Sequence, residues 1–391
     1  MESIVLLGAE TVATNGAAFR VAAADVAAVV DLPPFDNSAM DGYAVRAADV
    51  TLASATVPVT LRLAGRVAAG DAPAVTVGSG ACVRVFTGSP LPAGADAVVM
   101  QEDTQVDGVS PDFVRVLDAA KPWENVRFRG EDVKRGAVIL RAGEKLTAGR
   151  LGLLAAAGVA RVPVSRRPII GVLATGSELV DAGQSLAPGA IYESNRTMLA
   201  PLLERSGAVV RSYPLVQDTL AATTAALDRA LNECDGVLTS GGVSVGELDY
   251  VKVAFEALGG RLDFWKVAIK PGKPFVFGRR GEKLLFGLPG NPVSALVTFL
   301  LLVRPALWRW QGVTNVLPIT SRCVLGEPLV NRGDRRHFIR VRVDGGGVVH
   351  SAGTQASHRL GSLAEANAVV DVPPETTLAA GTPVNAVLFD V

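Results

Sequence analysis

Three carboxylates, Glu178, Asp218 and Asp249, stand where short apolar runs end or helical stretches begin. Glycine-rich turns lie beside two of them. After "GVLA" comes Thr175-Gly176-Ser177-Glu178; after "GVLT" comes "SGGVSVGELDY", residues 240–250; after "LLFG" comes "LPGNP", residues 288–292. In Ser240-Gly241-Gly242-Val243-Ser244 the paired glycines let backbone N–H groups approach an oxyanion. The serine hydroxyls add donors, and a helix that follows presents its positive end. Acids converging on such a cradle can hold Mg²⁺, a hard cation that prefers oxygen ligands and phosphate. In "KVAIKPGKPF", Lys266, Lys270 and Lys273 place three ammonium groups around Pro271-Gly272, which suits a phosphate or another oxyanion. Plainer roles exist for each: a strand-to-helix turn for the glycines and "LPGNP", an N-cap for Asp218 in "QDT", solvated edge-strand lysines.

A second group lies far upstream. "FDNSAMDGYAVR", residues 35–46, mixes Phe35, Met40 and Tyr43 with turn-forming Asp36, Asn37, Ser38 and Asp41. Regular strands and helices do not string such residues together, so the segment reads as an anchored loop offering polar groups. In "NVRFRGED", strand alternation would put Arg127 and Arg129 on one face, for an anion or simply for solvent. Other chemistries are excluded. Cys82, Cys234 and Cys323 are too widely spaced for a zinc knuckle or a Cys-x-x-Cys pair, and His337, His350 and His358 lack zincin spacing. No Gly-x-x-x-x-Gly-Lys-Ser/Thr loop and no local nucleophile–base arrangement occurs.

The elements that must position these residues can be read from texture. Residues 11–30, with "VAAADVAAVV", read as a helix ending before Pro33-Pro34, and "LTAGRLGLLAAAG" at 146–158 as a second helix packing on it. Between them, from about 46 to 138, short Val-rich runs cut by Gly, Pro and Asp predict an inserted β-rich domain. From 168 to about 310, "IIGVLA", "GVLTS" and "LLFG" read as buried parallel strands. They alternate with helices in "NRTMLAPLLERSG", "DTLAATTAALDRALNEC" and "NPVSALVTFLLLVRPAL", so an α/β domain with a mostly parallel sheet is expected. In such sheets ligands bind beyond the carboxyl ends of the strands, where the loops above fall. Residues 318–391, with "HFIRVRV" and "VNAVLF", predict a small β-domain or barrel.

Hydrophobic residues at 49% supply several cores for a chain of 391 residues, and Lys+Arg balance Asp+Glu at 38 each. That balance argues against a general nucleic-acid or anionic-membrane binder. The start lacks a basic n-region, and the longest apolar run, 293–303, is shorter than the roughly 20 residues of a membrane span. A soluble protein of the reducing cytoplasm is expected, with no nucleic acid or membrane partner.

Taken in order, "PPFDNSAMDGYAVR", "TGSPLPAGADAVVMQED", "VRFRGED", "TGSEL", "SGGVSVGELDYVK", "WKVAIKPGKP", "GLPGNPVSA" and "QASHRLGSLAEANAVVDVP" resemble the molybdopterin molybdenumtransferase family, the molybdenum insertases. The C-terminal domain of gephyrin resembles it too. The resemblance implies a helical domain of 1–45 and 139–167, an inserted β-rich domain of 46–138, an α/β molybdopterin-binding domain of 168–317 and a C-terminal β-barrel of 318–391. It implies an elongated homodimer that takes adenylylated molybdopterin and molybdate and releases AMP and molybdenum cofactor with Mg²⁺. Other molybdenum-cofactor synthesis proteins and molybdoenzyme apoproteins are the further partners it suggests.

Matched position by position, catalytic roles fall on Asp41, Glu178, Asp218, Asp249, Lys266 and Lys270, with Glu178 and Asp249 as Mg²⁺ ligands. Thr87, Pro289, Pro292 and Ser357 match substrate-site positions, and Asp132 a further one. Arg127, Thr175, Gly176, Ser240, Gly241, Gly242 and Ser244 complete the expected substrate contacts. Ser177 stands where the family commonly has Asp, which removes one carboxylate from the expected metal surroundings. Two alternatives remain: a molybdopterin adenylyltransferase sharing the α/β domain, and a non-catalytic scaffold on the insertase fold.

Overall fold

The computed structural model describes residues 4–72, 74–106, 110–243 and 249–389. Its central sheet has six strands in the order Val209–Ser212, Ile169–Ala174, Gly236–Ser240, Lys283–Leu288, Val276–Arg280 and Arg261–Trp265. The first four run parallel, and the last two add antiparallel. The three inner parallel strands are apolar along their length because both faces are covered. On one face Leu199 and Leu203 of the helix Asn195–Arg205 pack with Leu296, Leu300 and Leu307. On the other, Leu227 and Leu231 of Leu220–Glu233 pack with Val251 and Phe255 of Val251–Ala257.

The helical run from Pro292 to Trp310 is longer than the apolar stretch foreseen. Its 19 residues could cross a membrane by length and composition, yet 83% of its most apolar window is buried. A wider turn at Phe299–Val303 joins its two α-helical parts. Its apolar surface is spent on the core.

The inserted sheet has the order Ala97–Met100, Gly42–Val45, Ala81–Val85, Val59–Val67, Phe113–Val116 and Thr104–Val106. It therefore starts at Gly42, inside the dozen read as a loop, and Asn37–Ser38 also pairs, with Val126–Arg127. A Cβ at position 42 would lie 2.0 Å from the Val99 carbonyl oxygen, so only glycine lets this strand enter between its neighbours.

The helix expected over 11–30 does not form. Ala9–Ala13 is a strand paired antiparallel with Arg161–Ser165, Thr14–Gly16 is a single 3-10 turn, and Val26–Ala27 pairs near Val138–Leu140. Asn15-Gly16 breaks any helix there, and Val12 and Val26, β-branched, favour the pleated surface. The second helix does form, at Ala148–Ala156, and its Leu154 packs with Ala17, Ala22, Leu140 and Val162.

The C-terminal strands close on themselves. Arg336–Val343, Val348–Ser351, Thr320–Leu325, Pro383–Leu388 and Ala368–Val372 form a ring, with the last strand pairing back to the first. Ile269–Lys270, from the α/β region, pairs parallel with Arg336 and His337 on the barrel's edge. That pairing brings Lys270 against the barrel.

Candidate active site

Two clefts of about 580 Å³ each adjoin at the carboxyl ends of the parallel strands. The first is cationic, lined by Lys270, Lys273 and Arg335 together with Pro289, Asn291, Gln355 and Ser357. The second is lined by Thr175, Glu178, Tyr192, Glu193, Asn195, Ser240, Asn291 and Pro292. Asn291 and His358 line both. Asn291 Nδ2 donates to Ser357 Oγ at 3.1 Å, and Val293 N donates to Ser357 O at 3.1 Å, tying the barrel segment to the helix start.

The charge of the first cleft is registered by a buried neighbour. His337, 5% exposed, has its pKa pulled down to about 4, first by burial and then by the charges of Lys270, Arg340 and Arg335. Arg335 is held in place by donating Nη1 to Ile269 O at 3.0 Å. Such a fork and two ammonium groups suit a small dianion.

The second cleft is built on backbone constraints. Gly241 and Gly242 adopt φ of +92° and +69°, and a Cβ on either would strike Thr175, at 2.7 Å from its carbonyl oxygen and 2.9 Å from its Oγ1 respectively. Thr175 Oγ1 is buried and has no partner among the described residues. Asn195 Nδ2 donates to Ser240 Oγ and to Gly290 O, both at 2.7 Å, locking together the loops after two strands. The helix does not follow the glycines directly; it begins at Val251, whose N–H donates to Gly242 O at 3.2 Å. Ser244 lies outside the described residues.

The acids divide. Glu178 lines the second cleft, whereas Asp218 and Asp249 line neither. Asp218 is not the N-cap, which is Thr219; its Oδ2 accepts from Ser177 N at 2.9 Å, and its own N donates to Ser177 Oγ at 3.0 Å. The Ser177 hydroxyl thus holds the main chain at Asp218, while the bond to the Asp218 carboxylate comes from the Ser177 main-chain N–H. Asp249 is half-buried, and its charge opposes the burial that lowers the Lys252 pKa. Among the described residues no three His, Cys, Asp or Glu side chains gather as a metal cage. Mg²⁺ needs none, since it keeps waters and takes one or two carboxylates plus substrate phosphate. Hard oxygen donors, with the orphaned Thr175 hydroxyl beside Glu178, fit that demand.

Lys266 is exposed, with its Nζ 3.9 Å from the centre of the Trp265 ring rather than in the cationic cleft. Gly176 serves by shape: a Cβ there would lie 2.8 Å from Glu178 Oε2.

The upstream residues form their own patch. Asp41 Oδ1 accepts from Thr87 N at 2.7 Å and Thr87 Oγ1 at 2.8 Å, and these two bonds hold its carboxyl below the usual range. Arg127 and Asp132 line a nearby cleft of about 410 Å³ with Asn37 and Gly88. Arg129 does not share it: its Nε pairs with Asp31 at 2.6 Å and its N donates to Asp36 Oδ1 at 2.7 Å, both structural. Sequence reasoning missed Asn195, Asn291, Arg335 and His358. Asn291 lay inside "LPGNP" and His358 inside "QASHRLGSLAEANAVVDVP", both stretches singled out for other residues.

Residues 1–158 match the MoeA N-terminal region (domain I and II), 171–309 the probable molybdopterin binding domain and 322–389 the MoeA C-terminal region (domain IV). The molybdopterin molybdenumtransferase of Haemophilus influenzae is 40% identical over 92% of this chain and 88% of its own. The chain belongs to the molybdopterin molybdenumtransferase family. Molybdopterin molybdenumtransferase 2 of Mycobacterium tuberculosis is 41% identical over 95% of this chain and 93% of its own. Among solved structures, the molybdopterin biosynthesis moeA protein of Pyrococcus horikoshii superposes with a TM-score of 0.86 at 33% identity, covering 99% of this chain and 97% of the other. The family is one of transferases, and residues 171–309, which hold the parallel strands, match its probable molybdopterin binding domain.

Proposed function

We propose that the chain transfers molybdenum from molybdate to molybdopterin, taking the pterin as its adenylylated form and releasing AMP. The observation that carries this reading is the pair of adjoining clefts sharing Asn291 and His358. One offers cations for a tetrahedral dianion, the other hydroxyls, amides and an aromatic face for a pterin and its phosphate. Lys270, Lys273 and Arg335 bind molybdate with Ser357 and Asn291 as neutral donors. Thr175, Ser240 and Asn195 orient the pterin side, and Tyr192 supplies a ring on which it can stack. Glu178, with Asp249 as the further acid of these loops, would hold Mg²⁺, which would supply charge neutralisation at the phosphate. The dithiolene of the pterin supplies sulfur to the metal, so no cysteine cluster is required.

We further propose a homodimer of cytoplasmic location, serving other molybdenum-cofactor synthesis proteins and molybdoenzyme apoproteins. Every residue lining the two clefts comes from position 174 onward. Asp41 and Thr87 line neither cleft, so a second subunit would be the source from which they join the chemistry. Lys266 then remains a candidate for the phosphate side.

An adenylyltransferase is disfavoured, because the matches at 1–158 and 322–389 cover regions outside the α/β domain. Incubation with adenylylated molybdopterin, molybdate and Mg²⁺ should release AMP, whereas a scaffold releases none. Lys270→Ala and Arg335→Ala should each weaken molybdate binding ten- to hundredfold, the loss of about 1.5–3 kcal/mol expected for a charge-assisted contact. Unchanged titrations in both would reject the oxyanion assignment.

A further inference from the structure

One charged side chain near the clefts touches neither. Arg340, on the barrel strand Arg336–Val343, is 0% exposed, and among the described residues it has no carboxylate partner. Its Nη2 donates to Thr354 O at 2.7 Å, to Ala356 O at 3.2 Å and to Ser362 Oγ at 3.0 Å. Its backbone N donates to Gln355 Oε1 at 2.9 Å, and its carbonyl accepts from Gln355 Nε2 at 3.0 Å. Nε and Nη1 find no partner among the described residues. A buried cation satisfied only by neutral acceptors is costly, and an apolar side chain of similar size would fill the space without that cost. Its retention calls for a reason other than stability.

All five contacts end on one segment, 354–362. That segment carries Gln355, Ala356 and Ser357 into the cationic cleft, Leu360 into the second cleft, and His358 into both. It runs from the end of the strand Val348–Ser351 into the short helix Leu360–Ala364, without a sheet partner of its own before that helix. Its position therefore depends on side-chain anchors. We infer that Arg340 is a positioning residue for the oxyanion, fixing segment 354–362 as the wall between the clefts so that Ser357 faces the bound dianion. The inference rests on the reading of the cationic cleft as the molybdate site.

The test is calorimetric titration of the purified full chain with molybdate and, separately, with molybdopterin, for wild type, Arg340→Met, Arg340→Lys, Ser357→Ala and the Arg340→Met/Ser357→Ala double variant. Arg340→Met should weaken molybdate at least tenfold and leave molybdopterin within threefold. Arg340→Lys, keeping charge but losing the fork, should fall between. The double variant should bind molybdate no worse than the weaker single one, because Arg340 acts through Ser357. Should Arg340→Met not fold, Arg340→Lys and Ser362→Ala, which removes one anchor outside the clefts, carry the same selective loss. Molybdate binding equal to wild type in a folded Arg340 variant, or losses that multiply in the double variant, overturns the inference. So does an equal loss of both ligands. Absence of molybdate binding by the wild type rejects the underlying site assignment, and the inference with it.

Discussion

Asp41 is exposed, yet its carboxylate is spoken for on one oxygen only. Oδ1 takes both Thr87 bonds, and no bond to Oδ2 is formed among the described residues. The depressed pKa follows from those bonds, so the group stays ionised wherever the enzyme works. Asp41→Asn keeps the shape and removes the charge. It should cut AMP release by at least a hundredfold while leaving the thermal midpoint close to that of the unchanged chain. Comparable losses of activity and midpoint would make Asp41 a folding residue. His337 offers a pH test with a definite sign. Its folded pKa, near 4, lies below the ordinary 6.5, so between these values the unfolded chain binds the extra proton. Stability is unaffected by this group above pH 6.5 and falls as the pH drops from 6.5 toward 4, by up to about 3 kcal/mol. His337→Gln should flatten that slope in melts at stepped pH; an unchanged slope would place the acid sensitivity elsewhere.

At the scale of elements, the glycine turn after Gly236–Ser240 is the most constrained piece of the pocket. Gly242→Ala would hold a Cβ at φ +69° against Val251 Cγ2 at 2.8 Å and Thr175 Oγ1 at 2.9 Å. It should cost about 1–3 kcal/mol and lower pterin affinity, read by melting and titration together. An alanine tolerated without either change would show that the turn has room to adjust. The strands around it were legible because burial on both faces leaves continuous apolar runs, as in "IIGVLA" and "GVLTS". Residues 11–30 were not, because alanine-rich composition imitates a helix, while the deciding partner, Arg161–Ser165, lies about 150 residues away. Separation along the chain also hid the guanidinium of the cationic cleft. "KVAIKPGKPF" announced Lys270 and Lys273, and the family resemblance Ser357, but Arg335 joins them through the pairing of Ile269–Lys270 with the barrel edge. Ser177 carries a contact that its sequence position did not announce: its hydroxyl accepts from the main-chain N of Asp218.

For the whole molecule, the arrangement sets a question of completeness. The α/β strand ends and the barrel supply both clefts, while the Asp41–Thr87 pair belongs to the inserted sheet, with the Arg127 cleft beside it. In the proposed two-fold dimer, symmetry would give two composite centres, each taking strand-end loops from one subunit and Asp41 from the other. Subunits carrying Asp41→Ala and subunits carrying Glu178→Ala should each be inactive alone. When they are co-assembled, each heterodimer holds one centre with both acids intact and one with neither. Random one-to-one exchange makes half of the dimers mixed, so activity should return to about a quarter of the wild-type value. Differently tagged subunits, purified as the heterodimer, should reach about half. If tagged heterodimers form and stay inactive, both acids serve a centre within one subunit, and the Asp41 patch must reach the clefts by a motion of the chain itself.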